Sequence, residues 1–162
     1  MQAGSESDYL NGTRQYDLWL EVYPNQPTEI IVDSNVAAGD NVGVHVTYRA
    51  KTAVFHIVDT TKGFNQHYTV SGSFSNDGHA EFVYERPSLN NGLPYLADAP
   101  PAFTGAQATI GSTWHPLGAL SRYAYDMYNC ANNQEMAFPG GISANGYSFG
   151  ESFVSFGDNF AC

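Results

Sequence analysis

The sequence predicts an all-β protein, an antiparallel sandwich or barrel, and three observations carry that prediction. Helical spacing of apolar residues fails, because Gly, Pro or Asn interrupts it within about a dozen residues almost everywhere. Short runs instead alternate apolar and polar residues with period two, the mark of half-buried strands. The composition agrees: 11 Tyr and 10 Phe accompany 16 Gly, with 43% hydrophobic and 14% aromatic residues. β-branched and aromatic residues separated by turn formers are strand-and-turn chemistry. A chain of 162 residues suits a single domain, 1–162, and is long enough to bury a core.

Taken in order, Tyr16 to Tyr23 is the clearest strand. Leu18, Leu20 and Val22 share one face, and Asp17, Trp19, Glu21 and Tyr23 share the other. Thr28 to Asp33 and Asn41 to Ala50 follow, joined through Ala37-Ala38-Gly39-Asp40. In the second of these Val42, Val44, Val46 and Tyr48 line one face. Ala53 to Asp59 and Gln66 to Ser71 read as a hairpin across Thr60 to Asn65. Ser75-Asn76-Asp77-Gly78 is a strong turn signal. Ala80 to Glu85 reads as a strand ended by Pro87, which cannot donate to a ladder. Asn90 to Pro94 and Ala99 to Pro101 bracket a loop-rich stretch. Ala102 to Ile110, Ala124 to Tyr128, Gln134 to Phe138 and Ser148 to Phe156 are the later strand candidates. Short strands at this spacing fit an antiparallel sandwich or barrel.

Charge narrows the function classes. Sixteen Asp and Glu against six Lys and Arg give a formal net charge of -10. Nucleic acid and anionic membrane surfaces require a basic patch, which six scattered cations do not supply. Such a surface serves solubility; it also limits the unbalanced positive charge that drives acid unfolding. No run of about 18 apolar residues predicts a membrane span. The opening Met1-Gln2-Ala3-Gly4-Ser5-Glu6 has neither the basic nor the apolar region of a signal peptide. Cys130 and Cys162, the two cysteines, fit no zinc motif; they are either a disulfide tying down the tail or two free thiols. Asn11-Gly12-Thr13 is a glycosylation sequon.

Two strand faces stand out. A sandwich strand ordinarily turns a plain polar face outward. The non-core face of Tyr16 to Tyr23 instead mixes Asp17 and Glu21 with Trp19 and Tyr23. Aromatics give contact area and carboxylates give hydrogen bonds and proton chemistry, a mixture that suits a groove; an ordinary solvated face with chance aromatics is the alternative. On Ala80 to Glu85, Glu81, Val83 and Glu85 share a face, and Glu85 ends the strand, where a side chain can reach a cleft or simply be solvated. His45, His56, His67, His79 and His115 are dispersed and read as structural or exposed rather than as ligands. There is no Ser-His-Asp signature, no His-Glu-x-x-His and no phosphate-binding loop.

Three segments, in order, resemble the glutamic endopeptidases called eqolisins (peptidase G1, formerly grouped as peptidase A4). Gln2-Ala3-Gly4-Ser5-Glu6 is similar to the family's turn carrying a catalytic glutamine. Tyr16-Asp17-Leu18-Trp19-Leu20-Glu21-Val22-Tyr23-Pro24 is similar to its Tyr-Asp-x-Trp-x-Glu-x-Tyr-Pro strand. Ala80-Glu81-Phe82-Val83-Tyr84-Glu85-Arg86-Pro87 is similar to the segment that ends in its catalytic glutamate. Ala102 to Ala106 adds support, and the resemblance loosens after Gly111. It implies a two-sheet antiparallel β-sandwich of concanavalin-like type with Glu85 and Gln2 as catalytic partners. Glu6, Asp17, Trp19, Glu21 and Tyr23 would then line the substrate cleft. It further implies a secreted acid endopeptidase acting on polypeptides without metal or cofactor, monomeric in its full-length form.

The implied chemistry is coherent. Amide hydrolysis needs an activated water, a stabilised oxyanion and a proton for the leaving nitrogen. One Glu can take the water's proton and return it to the amine, while a Gln amide donates to the oxyanion and does not titrate. Two like carboxyls would repel and raise one pKa; pairing Glu with Gln removes that, so the Glu can ionise in acid. The family has further strands before its catalytic Gln, including a Trp-Val-Gly-Ile-Gly-like segment. Their absence here leads us to expect the C-terminal major part of such a domain, inactive and self-associating when isolated. A non-catalytic β-sandwich that binds carbohydrate through Trp19 and Tyr23 is the alternative from another class.

Overall fold

The computed structural model describes residues 1–23, 26–49, 51–74, 78–86, 93–96 and 98–157. It divides into two compact units, Met1–Gly78 and His79–Cys162. Apart from a 3₁₀ turn at Leu117–Ala119, the regular elements described are strands, and every described pairing is antiparallel.

The first unit holds two three-stranded sheets. One is ordered β1 (Gln2–Leu10), β2 (Thr13–Val22), β3 (Gln26–Asp33); the other β4 (Val42–Arg49), β5 (Thr52–Asp59), β6 (Phe64–Ser71). Leu18, Leu20 and Val22 from β2 share one core with Ala53, Phe55 and Ile57 from β5 and with Val36. Period-two alternation produces this arrangement: each central strand offers every second side chain to the same interior. The predicted face of β2 is the buried one, with Leu18 and Val22 at 0% exposure. Tyr48 ties the edge of β4 to the chain beyond β6, its hydroxyl donating to the Phe74 carbonyl at 2.6 Å.

The structure corrects the reading of the first residues. Gln2-Ala3-Gly4 is not a turn but the start of β1, which pairs residue for residue with β2 from Gln2↔Glu21 to Leu10↔Thr13. Asn11 and Gly12 close this hairpin with φ values of 51° and 81°. Left-handed conformation at both central residues of a two-residue loop favours Asn-Gly, because its twist matches that of the flanking strands. The turn between β5 and β6 is also specified locally: Asp59 Oδ1 accepts from the Thr61 and Lys62 amides at 2.8 and 3.1 Å.

The second unit contains a sheet ordered β10 (Met127–Asn129), β11 (Gln134–Pro139), β12 (Phe149–Phe153), β7 (Ala102–Phe103), and a separate hairpin of β8 (Gln107–Ile110) and β9 (Thr113–Pro116). Leu96, Met136 and Ala137 are buried, with Tyr84, Met127 and Phe153 packed against them. The expected single strand Ala102 to Ile110 is two strands. Gly105 turns the chain at φ 66°, and the Ala106 amide leaves the ladder to donate to the Tyr147 carbonyl at 2.8 Å.

Ala80 to Glu85 is the other correction, since the structure does not place it in a β-ladder. Its burial still alternates: Phe82, Tyr84 and Arg86 are half-buried, while Glu81, Val83 and Glu85 are exposed. Alternation chooses which face is buried; a strand also requires a hydrogen-bonding neighbour in register, which the pattern does not specify. The turn signal Ser75-Asn76-Asp77 and the segment Pro87 to Gly92 lie outside the described residues. Among the described residues no helix is long and apolar enough to cross a membrane.

Candidate active site

The outward face of the β1–β2–β3 sheet gathers the residues singled out on Tyr16 to Tyr23 and adds others that the sequence did not reveal. Hairpin register sets Gln2 opposite Glu21, Gly4 opposite Trp19 and Glu6 opposite Asp17. On the far side of β2, Trp19 faces Ile31 of β3. The indole therefore lies between Gly4 and Ile31; a Cβ at Gly4 would sit 3.5 Å from the ring. Carboxylates surround this apolar centre: Glu6 and Asp8 from β1, Asp17 and Glu21 from β2, and Glu29 from β3. Asp17 also borders a depression of about 450 Å³ lined by Arg14, Gln15, Tyr16, Ile31, Ser34 and Val36. Tyr23 follows the last residue of β2 and is 69% exposed.

Crowding of like charge on a partly desolvated face alters its protonation. Burial first, then Glu29, Asp8 and Asp17, pushes the Glu6 carboxyl up to about 7 from an ordinary 4.5. Asp8 is raised by burial and by Asp17. Glu29 is raised by burial and then by Asp8, Glu21 and Asp17. The face consequently holds protons at a pH where isolated carboxyls have lost them. Glu6, Asp8 and Glu29 converge through strand register, and Asp8 and Glu29 carried no signal in the sequence beyond being acidic.

Gln2 has a defined partner. Its Nε2 donates to Glu21 Oε2 at 2.6 Å. A hydrogen bond of this kind, amide N–H to carboxyl oxygen, fixes the amide plane and tells its nitrogen from its oxygen. One N–H remains to donate and the carbonyl remains to accept, so Glu21 orients the amide without consuming it.

Glu85 belongs to the second unit, where its neighbours anchor the chain. Phe82 meets Phe103 and Phe149 edge-on at 6.2 and 6.4 Å, and those two rings stack at 4.8 Å. Tyr84 packs on the Leu96–Met136–Ala137 cluster. Burial, then Asp98 and Glu151, raises the pKa of its hydroxyl. Arg86 donates to the Pro94 carbonyl at 3.1 Å. Three inward side chains at alternate positions thus hold the backbone that turns Glu85 outward. Aromatic pairs of this geometry contribute about 0.5–1.5 kcal/mol each beyond their buried area.

Comparison with known proteins places these features in a family. The model of the Peptidase A4 family matches residues 1–144, a span that contains Gln2, the β2 strand and Glu85. The chain belongs to the peptidase A4 family. The glutamic-peptidase resemblance read from the sequence is confirmed by that match. Among curated proteins, aspergillopepsin-2 of Aspergillus niger is 30% identical over 118 residues, covering 70% of this chain. The matched region is 42% of that relative, so the match spans less than half its length. Among solved structures, the crystal structure of aspergilloglutamic peptidase from Aspergillus niger superposes with a TM-score of 0.76 at 22% identity, covering 94% of this chain and 88% of that one. This peptidase A4 member therefore has the all-β fold expected of it. Cys130 is held in a disulfide; Cys162 lies outside the described residues.

Proposed function

We propose that this protein is an acid endopeptidase that hydrolyses peptide bonds of polypeptide substrates with Glu85 and Gln2. Glu85 takes the proton of the attacking water and returns it to the leaving amine. Gln2, oriented by Glu21, donates its remaining N–H to the developing oxyanion. Glu6, Asp17, Trp19, Glu21 and Tyr23 line the cleft that receives the peptide, Trp19 supplying apolar contact and the protonated Glu6 carboxyl supplying a donor. The observation that carries this reading is the Gln2–Glu21 hydrogen bond within a family match that includes both Gln2 and Glu85. We read residues 1–162 as one domain of that family, acting outside the cell, with Cys130 and Cys162 as its disulfide. Intact mass after alkylation tests the last point: no thiol should react until the protein is reduced.

The experiment for the activity uses the longest form of the protein that its gene encodes. It is incubated with a denatured protein at a series of pH values, and the new termini are mapped. Internal cleavage in acid that fades toward neutrality is the expected result. Retention on a polysaccharide matrix with no cleavage at any pH would replace the peptidase reading with that of a carbohydrate-binding sandwich.

A further inference from the structure

The second sheet of the first unit carries a feature that the peptidase reading does not use. His45 in β4, His56 in β5 and His67 in β6 occupy one rung: His45 pairs with His56, and His56 with His67. Because Phe55 and Ile57 on either side of His56 are fully buried, His56 and its rung point away from the core. The rings of His56 and His67 stack at 4.0 Å with 5° between their planes. Asn65 Oδ1 lies 2.9 Å from His56 Nε2, and Thr47 Oγ1 lies 3.3 Å from His45 Nε2. The neighbouring rungs are Gly43–Val58–Asn65 and Thr47–Val54–Thr69.

Imidazole is the commonest protein ligand for transition metals. Directly opposed residues on adjacent strands have Cβ atoms about 4.5–5.5 Å apart. Metal–nitrogen bonds are about 2.0–2.1 Å long, so rings from three consecutive strands can meet above the middle one. As the rings stand, those of His56 and His67 stack, and no three ligand side chains among the described residues converge. Bringing the three rings together calls for rotation about their side-chain torsions. We propose that His45, His56 and His67 form a binding site for a divalent transition metal of the zinc, nickel and copper class, with His56 as the central ligand. Asn65 Oδ1 accepts from the Nε2–H of His56, which fixes that ring and leaves Nδ1 as its metal-binding atom. Calcium and magnesium, which demand oxygen donors, are not suited to the row.

Untagged protein, residues 1–162, is titrated calorimetrically with zinc, then nickel, then copper at about pH 7.5, because proton competition weakens metal binding to imidazole in acid. One saturable equivalent is expected. His56→Gln and His67→Gln should each weaken it at least about tenfold, and Asn65→Ala by about tenfold through loss of the orienting bond. His79→Gln and His115→Gln should leave it unchanged, and circular dichroism confirms that each variant is folded. Zinc should also shift the ring C–H resonances of the three row histidines together. Absence of saturable binding, or binding retained in both His56→Gln and His67→Gln, overturns the proposal. So does binding lost instead in Glu6→Gln, which would put the metal on the acidic face.

Discussion

Glu85→Gln is expected to abolish cleavage of a denatured protein in acid while leaving the fold intact. The side chain is exposed on a backbone anchored by Phe82, Tyr84 and Arg86. Isosteric changes at exposed positions typically alter stability by about 0.5 kcal/mol, and thermal unfolding of the variant measures the effect here. Under the proposed mechanism Glu85→Gln removes the group that takes and returns the proton, and general acid–base catalysis contributes about 10²–10⁴-fold in rate. Gln2→Ala should differ in kind. Loss of one oxyanion donor lowers kcat by about 10²–10³-fold. An amide does not titrate, so the acidic limb of the residual pH profile should stay where the wild type has it. Glu21→Gln keeps the shape of the Gln2 partner and weakens its hydrogen bond, so its effect should be smaller than that of Gln2→Ala. The readouts are initial rates across pH for each variant, with thermal unfolding as a check on the fold. Turnover by Glu85→Gln near the wild-type rate would remove Glu85 from the mechanism.

The parts of this architecture that could be read from sequence are those in which one strand's own pattern decides the outcome. Leu18, Leu20 and Val22 alternate with polar or amphipathic neighbours, and a half-buried strand has one way to accommodate them. β5 is similar, with Ala53, Phe55 and Ile57 turned inward. β1 is the opposite case. Gly4, Ser5, Glu6, Ser7 and Asp8 include no β-branched or aromatic residue. That segment is a strand because the Asn11-Gly12 turn folds it back onto β2, so its structure is set by pairing rather than propensity. The Asn-Gly dipeptide was the available signal, and reading it only as part of a sequon concealed the hairpin. Gly111-Ser112 between β8 and β9 is a second hairpin signal of that kind. The acidic face and the histidine row depend on register even more strongly. Glu6 meets Asp17, and His45 meets His56 and His67, across ladders that no single segment specifies. The even eleven-residue spacing of the three histidines was the trace of that register in the sequence. Ala80 to Glu85 shows the converse limit, alternation without a ladder.

The acidic face should make the protein more stable in mild acid than at neutrality, and Glu6 should be the main source of the difference. Its folded-state pKa, about 7, lies above the ordinary 4.5 because burial and then Glu29, Asp8 and Asp17 oppose ionisation. A raised pKa means that the folded state binds the proton more tightly than the unfolded chain does. The resulting stabilisation is complete below about 4.5 and is lost as pH rises from there through about 7. Asp8 and Glu29 are raised by the same kind of crowding and act with the same sign. Glu6→Gln keeps the side chain's size and removes its charge, so it should flatten this dependence. The quantity to measure is the difference in unfolding free energy between wild type and Glu6→Gln, from urea transitions at pH 4.5, 6 and 7.5. That comparison cancels histidines and other groups that titrate equally in both proteins. Relative to the variant, the wild type should lose on the order of 1–2 kcal/mol across this range, a figure that allows for solvent screening of a half-exposed carboxyl. A difference that stays flat, or one that favours the wild type as pH rises, would mean that Glu6 ionises freely in the folded protein. The same titration bears on function. Under the proposed function, a peptide approaching Trp19 in acid would meet a carboxylic acid at Glu6 that can donate a hydrogen bond, whereas above about pH 7 it would meet a carboxylate that repels its own acidic side chains.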